Sequence, residues 1–253
     1  MCHKECPAPV RGGSGIVEER VETLGVERSI PGFFARPDGA PAPAVVILHD
    51  IWGANDFYHD LARRLAGEGF AALLPDLFVR QGPLPEQTRE AAFARRARLD
   101  QTVALADIAG ALRWVRDHPA TTGRVGTMGF CLGGTFVMLA AARDPLPDAG
   151  VAFYGFPVIE KTLLTPAVPL DEARAGLVGS PLLLLWGDQD HGVGMENVAA
   201  YRAALEAAGT RHEAVVYPGL PHGFLTFDPA APVATREAWA RALAFLRAEL
   251  SPA

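Results

Sequence analysis

Apolar and charged residues alternate through IVEERVETL and VERSIPGFFARP, the period of half-exposed antiparallel strands. The next apolar run, AVVILHD, has no polar face, which predicts a strand buried on both sides within a parallel sheet. From there the period alternates between helix and strand. DFYHDLARRLAGEG is amphipathic and ends in glycine, and FAALLPDLF is the next strand. EQTREAAFARRARL and QTVALADIAGALRWVRDHP are helical, the second carrying Leu105, Ile108, Leu112 and Val115 on one face. RVGTMGF is a short strand that runs directly into a cysteine, and LGGTFVMLAAARD is the helix behind it. AGVAFYG, PLLLLWGDQD and HEAVVYPG predict three more strands, and MENVAAYRAALEAAG and TREAWARALAFLRAEL two more helices.

Repeated strand–helix–strand order implies an α/β fold, a mostly parallel central sheet flanked by helices on both faces. The opening MCHKECPAPVRGGSG, residues 1–15, reads as a loose lead-in, and residues 16–253 as a single domain without internal repeat. A chain of this length buries a substantial core without disulfides or metals. The net charge of -6 argues against a phosphate-binding surface, and the cluster of Arg95, Arg96 and Arg98 is offset by acids elsewhere, so no nucleic acid partner is expected. Three cysteines, Cys2, Cys6 and Cys131, do not make a disulfide framework and fit a reducing compartment. No signal-peptide pattern opens the chain, and no apolar run approaches the ~18 residues of a membrane span. The expectation is a cytoplasmic protein with no membrane partner, a monomer or small homo-oligomer.

In such sheets functional residues gather beyond the carboxyl ends of the strands. Cys131 follows VGTMGF, Asp188 and Asp190 follow LLLLWG, and His222 follows VVYPG. The order nucleophile, acid, histidine is that of the α/β-hydrolase triad. Gly129 and Gly133 flank the cysteine, where side chains would collide with neighbouring backbone at a sharp strand-to-helix turn. The nucleophile then stands at a helix N-terminus, whose orphan N–H groups and dipole favour a thiolate and later an oxyanion. The N–H of Leu132 is one natural oxyanion donor; the N–H of Ile51, after VVIL, is the expected second. Asp190, in G-x-x-D, is preferred over Asp188 as the partner of His222. His3, His59, His118 and His212 read as structural or solvated, and His191 as pocket lining. Cys2 and Cys6 read as part of the loose terminus; with one intervening His they offer too few ligands for a metal.

HDIWGAN, GFAALLPDLFVRQG, GFCLGG, VAFYG, GDQDHGV and PHGF together resemble the dienelactone hydrolase family of α/β-hydrolases. The resemblance runs from AVVILHD to the last helix. It implies a Cys131–His222–Asp190 triad, an oxyanion hole of Ile51 and Leu132, and an acidic residue after the first core strand that activates the thiol. That acid is a glutamate in the best-known members; here it is the shorter Asp50. The family also holds a substrate carboxylate with two arginines. Arg89 matches one, while Thr226 occupies the position of the other and Phe93 that of a tyrosine; Trp52 joins this substrate-binding set. The implied activity is cysteine-dependent hydrolysis of esters or lactones, of the type that converts 4-carboxymethylenebut-2-en-4-olide to maleylacetate, with no metal and no cofactor. Two alternatives are a carboxylesterase or thioesterase for neutral acyl groups, favoured by the missing arginine, and a non-hydrolytic reactive-thiol or binding protein on the same fold.

Overall fold

The two alternating N-terminal stretches pair with each other. In the computed structural model, which describes residues 15–26 and 28–251, β1 (Ile16–Leu24) and β2 (Ser29–Pro37) run antiparallel, with Val21 opposite Gly32. Cys2, Cys6, His3 and nearly all of the predicted lead-in lie outside the described residues. β2 pairs antiparallel with β4 (Ala71–Pro75), and every later pairing is parallel. Adding β3 (Ala42–Leu48), β5 (Thr121–Phe130), β6 (Ala149–Phe153), β7 (Leu182–Gly187) and β8 (His212–Tyr217) gives one sheet in the order β1-β2-β4-β3-β5-β6-β7-β8. This is the expected α/β-hydrolase arrangement.

Among the described residues seven helices cover the sheet: α1 (Asp56–Gly67), α2 (Arg89–Arg96), α3 (Gln101–Asp117), α4 (Leu132–Ala140), α5 (Pro169–Arg174), α6 (Met195–Ala207) and α7 (Val233–Leu250). Successive strand residues point to opposite faces. The position of Gly126 is packed by Leu246 and Leu250 of α7, whereas Gly150, paired with Thr127, is packed by Val137 of α4. Helices α3, α4, α5 and α6 adjoin one another in one layer, and α1 and α7 are joined by the Arg247–Glu68 ion pair at 2.5 Å. Strands β3 and β7 are buried along their length apart from the half-buried Pro43 of β3, as their unbroken apolar runs require. Each Val, Leu or Ile so buried contributes about 1.5–3 kcal/mol relative to exposure.

Three elements depart from the sequence pattern. β4 stops at Pro75 and does not include Asp76-Leu77-Phe78, because Asp76 Oδ1 accepts from Phe78 N at 2.9 Å and turns the chain. α2 is shorter than its apolar pattern, starting where Thr88 Oγ1 accepts from Ala91 N at 3.2 Å. α5, with Pro169 in its first turn, is six residues long, too short to leave a helical period in the sequence.

The end of β3 is tied to the segment after β4 by a fully buried histidine. His49 Nε2 accepts from Leu77 N at 3.1 Å, which leaves the proton on Nδ1 to be donated to Asp50 O at 2.9 Å. That geometry needs a neutral ring, and burial pushes its pKa below the ordinary imidazole value. As pH falls through ~6.5 the unfolded chain therefore takes up a proton that the folded chain refuses, so stability present above that pH is lost below it. Urea denaturation at pH 7.5 and 5.5 should show a loss of up to about 1.4 kcal/mol per pH unit from this group. His49→Gln should flatten the slope, with a remainder from His59 and His118, which burial pushes the same way.

Candidate active site

β5 ends and α4 begins on either side of Cys131, whose backbone sits at φ 54° and ψ -114°. A non-glycine residue in this region carries roughly 1–3 kcal/mol of strain and persists only where its surroundings enforce it. They do so through close backbone contact. A Cβ at Gly133 would overlap the carbonyl of Leu48 at the end of β3, and one at Gly129 would overlap the carbonyl of Gly133. Cys131 N donates to Phe153 O at 3.0 Å, and Thr135 N returns to Cys131 O at 3.0 Å to close the first turn of α4. Thr135 Oγ1 donates to the same carbonyl at 3.3 Å and accepts from Phe156 N at 2.9 Å.

Two strands away, the loop after β7 presents Asp190 and the loop after β8 presents His222. His222 Nδ1 lies 2.6 Å from Asp190 Oδ2, the short range of a charge-assisted hydrogen bond. Asp190 is 2% exposed, and its other oxygen accepts from Val193 N at 3.1 Å. Asp188, the second choice from the sequence, instead accepts from Gly219 N at 2.7 Å and braces the loop. The His222 ring is flanked by Tyr154, edge-on with centroids 5.0 Å apart, and by Phe156 at 5.3 Å. Tyr154 was not legible as a site residue; it too has positive φ, at 40°, and directly follows Phe153, the last residue of β6.

The loop after β3 is held from both sides. Asp50 N donates to Tyr58 Oη at 3.1 Å, and Asp50 Oδ1 accepts from Trp52 N at 2.8 Å. From the other side Arg95 Nη2 donates to Ile51 O at 3.0 Å. Arg95 is 5% exposed, with its guanidinium 4.2 Å from the centroid of Phe78, and burial lowers its pKa from the ordinary arginine value. In the sequence it reads as one of three clustered surface arginines, yet it is the buried member. Ile51 N makes no hydrogen bond within the described residues, and Leu132 N is one of the orphan donors of the α4 N-terminus.

Cys131, His222, Asp190, Ile51 and Leu132 all open onto one cavity of about 630 Å³. Trp52, Arg89, Phe93 and His191 line it too, as the sequence reading expects. Two expected residues do not. Thr226 is half-buried and does not line the cavity, its hydroxyl accepting from Asp228 N at 3.2 Å. Asp50 is fully buried behind the loop, its Oδ1 accepting from Trp52 N. Arg96, on α2 with Arg89, also lines the cavity and brings a second guanidinium to it. Its seven-residue spacing from Arg89, two helical turns, was the available signal. His59, His118 and His212 have structural surroundings: the first two meet the Phe33 and Phe34 rings, and His212 Nδ1 lies 2.8 Å from Thr210 O. Among the described residues no three His, Cys, Asp or Glu side chains are grouped to hold a metal, and no helix is long and apolar enough to cross a membrane.

The sequence profile of the dienelactone hydrolase family matches residues 30–250. The chain belongs to the dienelactone hydrolase family. The carboxymethylenebutenolidase of Rhodococcus opacus is 31% identical over 255 residues, covering 99% of this chain and 98% of its own. A protein of Escherichia coli K12 assigned as a carboxymethylenebutenolidase is 33% identical over 227 residues, covering 87% and 82%. The crystal structure of a Klebsiella pneumoniae protein assigned as a dienelactone hydrolase superposes with a TM-score of 0.85 at 32% identity, over 91% of this chain and 98% of that one. The family is one of hydrolases on this fold, consistent with residues that gather at the ends of β3, β5, β7 and β8.

The close approach at Gly133 makes a stability test of the turn. Gly133→Ala should cost at least about 3 kcal/mol in urea denaturation, or give no folded protein, since backbone and not a side chain must move. Gly67→Ala, at a helical position with open space around it, should instead raise stability by up to about 1 kcal/mol.

Proposed function

We propose that the protein is a cysteine-dependent hydrolase of ester or lactone bonds, with Cys131 as nucleophile, His222 as general base and acid, and Asp190 as the residue that orients His222. The observation that carries this reading is the 2.6 Å Asp190–His222 bond opening onto the same cavity as Cys131 on its strained turn. His222 Nε2 takes the proton from the Cys131 thiol as Sγ bonds to the substrate carbonyl carbon. The oxyanion rests on the N–H groups of Ile51 and Leu132. Collapse breaks the carbonyl-to-oxygen bond, and His222 returns the proton to the leaving oxygen, which stays tethered if the substrate is a lactone. Water, deprotonated by His222, then attacks the thioester; the acid leaves and the thiol re-forms. Arg89 and Arg96 supply the cavity with charge for a substrate carboxylate. Asp50 acts on this scheme through the loop, by fixing Trp52 N and hence the Ile51–Trp52 peptide.

Cys131→Ala should lower kcat/KM on enol-lactones and short aryl esters by about a thousandfold or more, with the fold retained by circular dichroism. Wild-type turnover in that variant would exclude Cys131 as the nucleophile.

Arg95 is a positioning residue in this scheme, because it holds the carbonyl of the residue whose N–H receives the oxyanion. Arg95→Met should reduce kcat about 10- to 100-fold while KM changes little, the pattern of a group felt in the transition state. Arg95→Lys should recover part of the loss. A fall in thermal stability with kcat unchanged would make Arg95 a packing residue only.

A further inference from the structure

The cavity is larger and more apolar than a small carboxylated lactone requires. At ~30 Å³ per non-hydrogen atom, the share of one water in the liquid, its 630 Å³ holds roughly 20 such atoms, about twice the number in a carboxymethylenebutenolide. The surplus lies beside an apolar wall. Phe93 of α2 and Phe136 of α4 face it, with Phe156, Val158 and Ile159 from the segment between β6 and α5.

That segment is a built wall. Phe156 N is bonded to Thr135 Oγ1 at 2.9 Å. Gln101, at the start of α3, donates from its backbone to Leu164 O at 2.8 Å, and its side-chain amide pairs in both directions with the Ala167 backbone at 3.0 and 2.8 Å. Thr162 and Thr165 close a tight turn between these anchors, their hydroxyls 2.7 Å apart. The turn holds Leu163, 99% exposed, and Leu164, 38% exposed, away from the core. Of the seven large apolar side chains exposed among the described residues, four (Phe93, Val158, Leu163 and Leu164) sit on α2 and this segment. Two of these, Phe93 and Val158, line the cavity together with the half-buried Phe156 and Ile159, the apolar lining of a ligand pocket, whereas Leu163 and Leu164 do not line it.

We infer that the substrate carries a bulky apolar group, a medium-length alkyl or aryl substituent of about eight to ten non-hydrogen atoms, bound between Phe93 and the Phe156–Ile159 wall. This rests on the hydrolase reading above and assigns its substrate class. The carbonyl sits at Cys131, a carboxylate where present faces Arg89 and Arg96, and the apolar group fills the rest. Each methylene moved from water onto this wall contributes about 0.8 kcal/mol, close to a fourfold change.

The test is kcat/KM for p-nitrophenyl esters of straight-chain acids from acetate to decanoate. It should rise about two- to fourfold per methylene to near octanoate and then level off. Ile159→Trp, which fills the apolar half, should cut the octanoate-to-acetate ratio at least tenfold, and Phe93→Ala, at a solvent-exposed helix position, should lower the same ratio. A flat or falling profile with turnover that depends on Cys131 would overturn this inference and leave the hydrolase reading intact. So would a ratio unmoved by Ile159→Trp. No turnover at any chain length would remove both.

Discussion

A Cβ at position 133 would fall inside the carbonyl of Leu48, and one at 129 inside the carbonyl of Gly133, so β3, β5 and the first turn of α4 meet backbone to backbone. That contact leaves Cys131 no relaxed conformation: the chain must reverse from strand to helix within one residue, and φ 54° is the result. The rest of the site is arranged around this enforced turn. It sets the Cys131 side chain at the cavity floor and leaves Leu132 N unpaired by the helix. It also brings the β3 end, with the Ile51 loop behind it, to the same edge of the sheet. Marginal proteins tolerate such strain only when the surrounding core over-determines it, and the unbroken apolar runs of β3 and β7 supply that core.

The second dependence runs through α2. One side of this short helix carries Arg89, Phe93 and Arg96 into the cavity, and another carries Arg95 down to the Ile51 carbonyl. Residues three, four and seven apart share a helix face, so the substrate wall and the loop brace are fixed to one rigid body. A ligand that presses on Phe93 therefore presses on the element that holds the Ile51–Trp52 peptide. Asp50 completes the clamp from inside, its Oδ1 accepting from Trp52 N at 2.8 Å and so shaping the loop.

Much of this was legible in the sequence, for physical reasons that differ by element. The buried strands and the two-strand N-terminal hairpin follow from hydrophobic period alone. Cys131, Asp190 and His222 are legible because glycine-framed strand ends point to one sheet edge. What escaped depends on contacts distant in sequence. Arg95 looks like a solvated charge until Ile51, 44 positions away, is seen to need it. The resemblance places Thr226 in a loop whose path no local pattern fixes. The 156–167 segment has no period at all, and α5 is too short to show one.

These differences separate what the fold constrains from what it leaves open. The turn at Cys131 admits almost no substitution, because its neighbours are backbone atoms that cannot yield. Phe93 and Val158 are exposed where they line the cavity, so their size can change without disturbing β5 or α4. Arg96 illustrates the freedom this gives. It lines the cavity two turns along α2 from Arg89, bringing a second guanidinium there. In the proposed reading, a catalytic geometry fixed by backbone contact and a specificity wall made of side chains on α2 and one tethered segment are therefore separable properties of the same chain, and the second selects the acyl group.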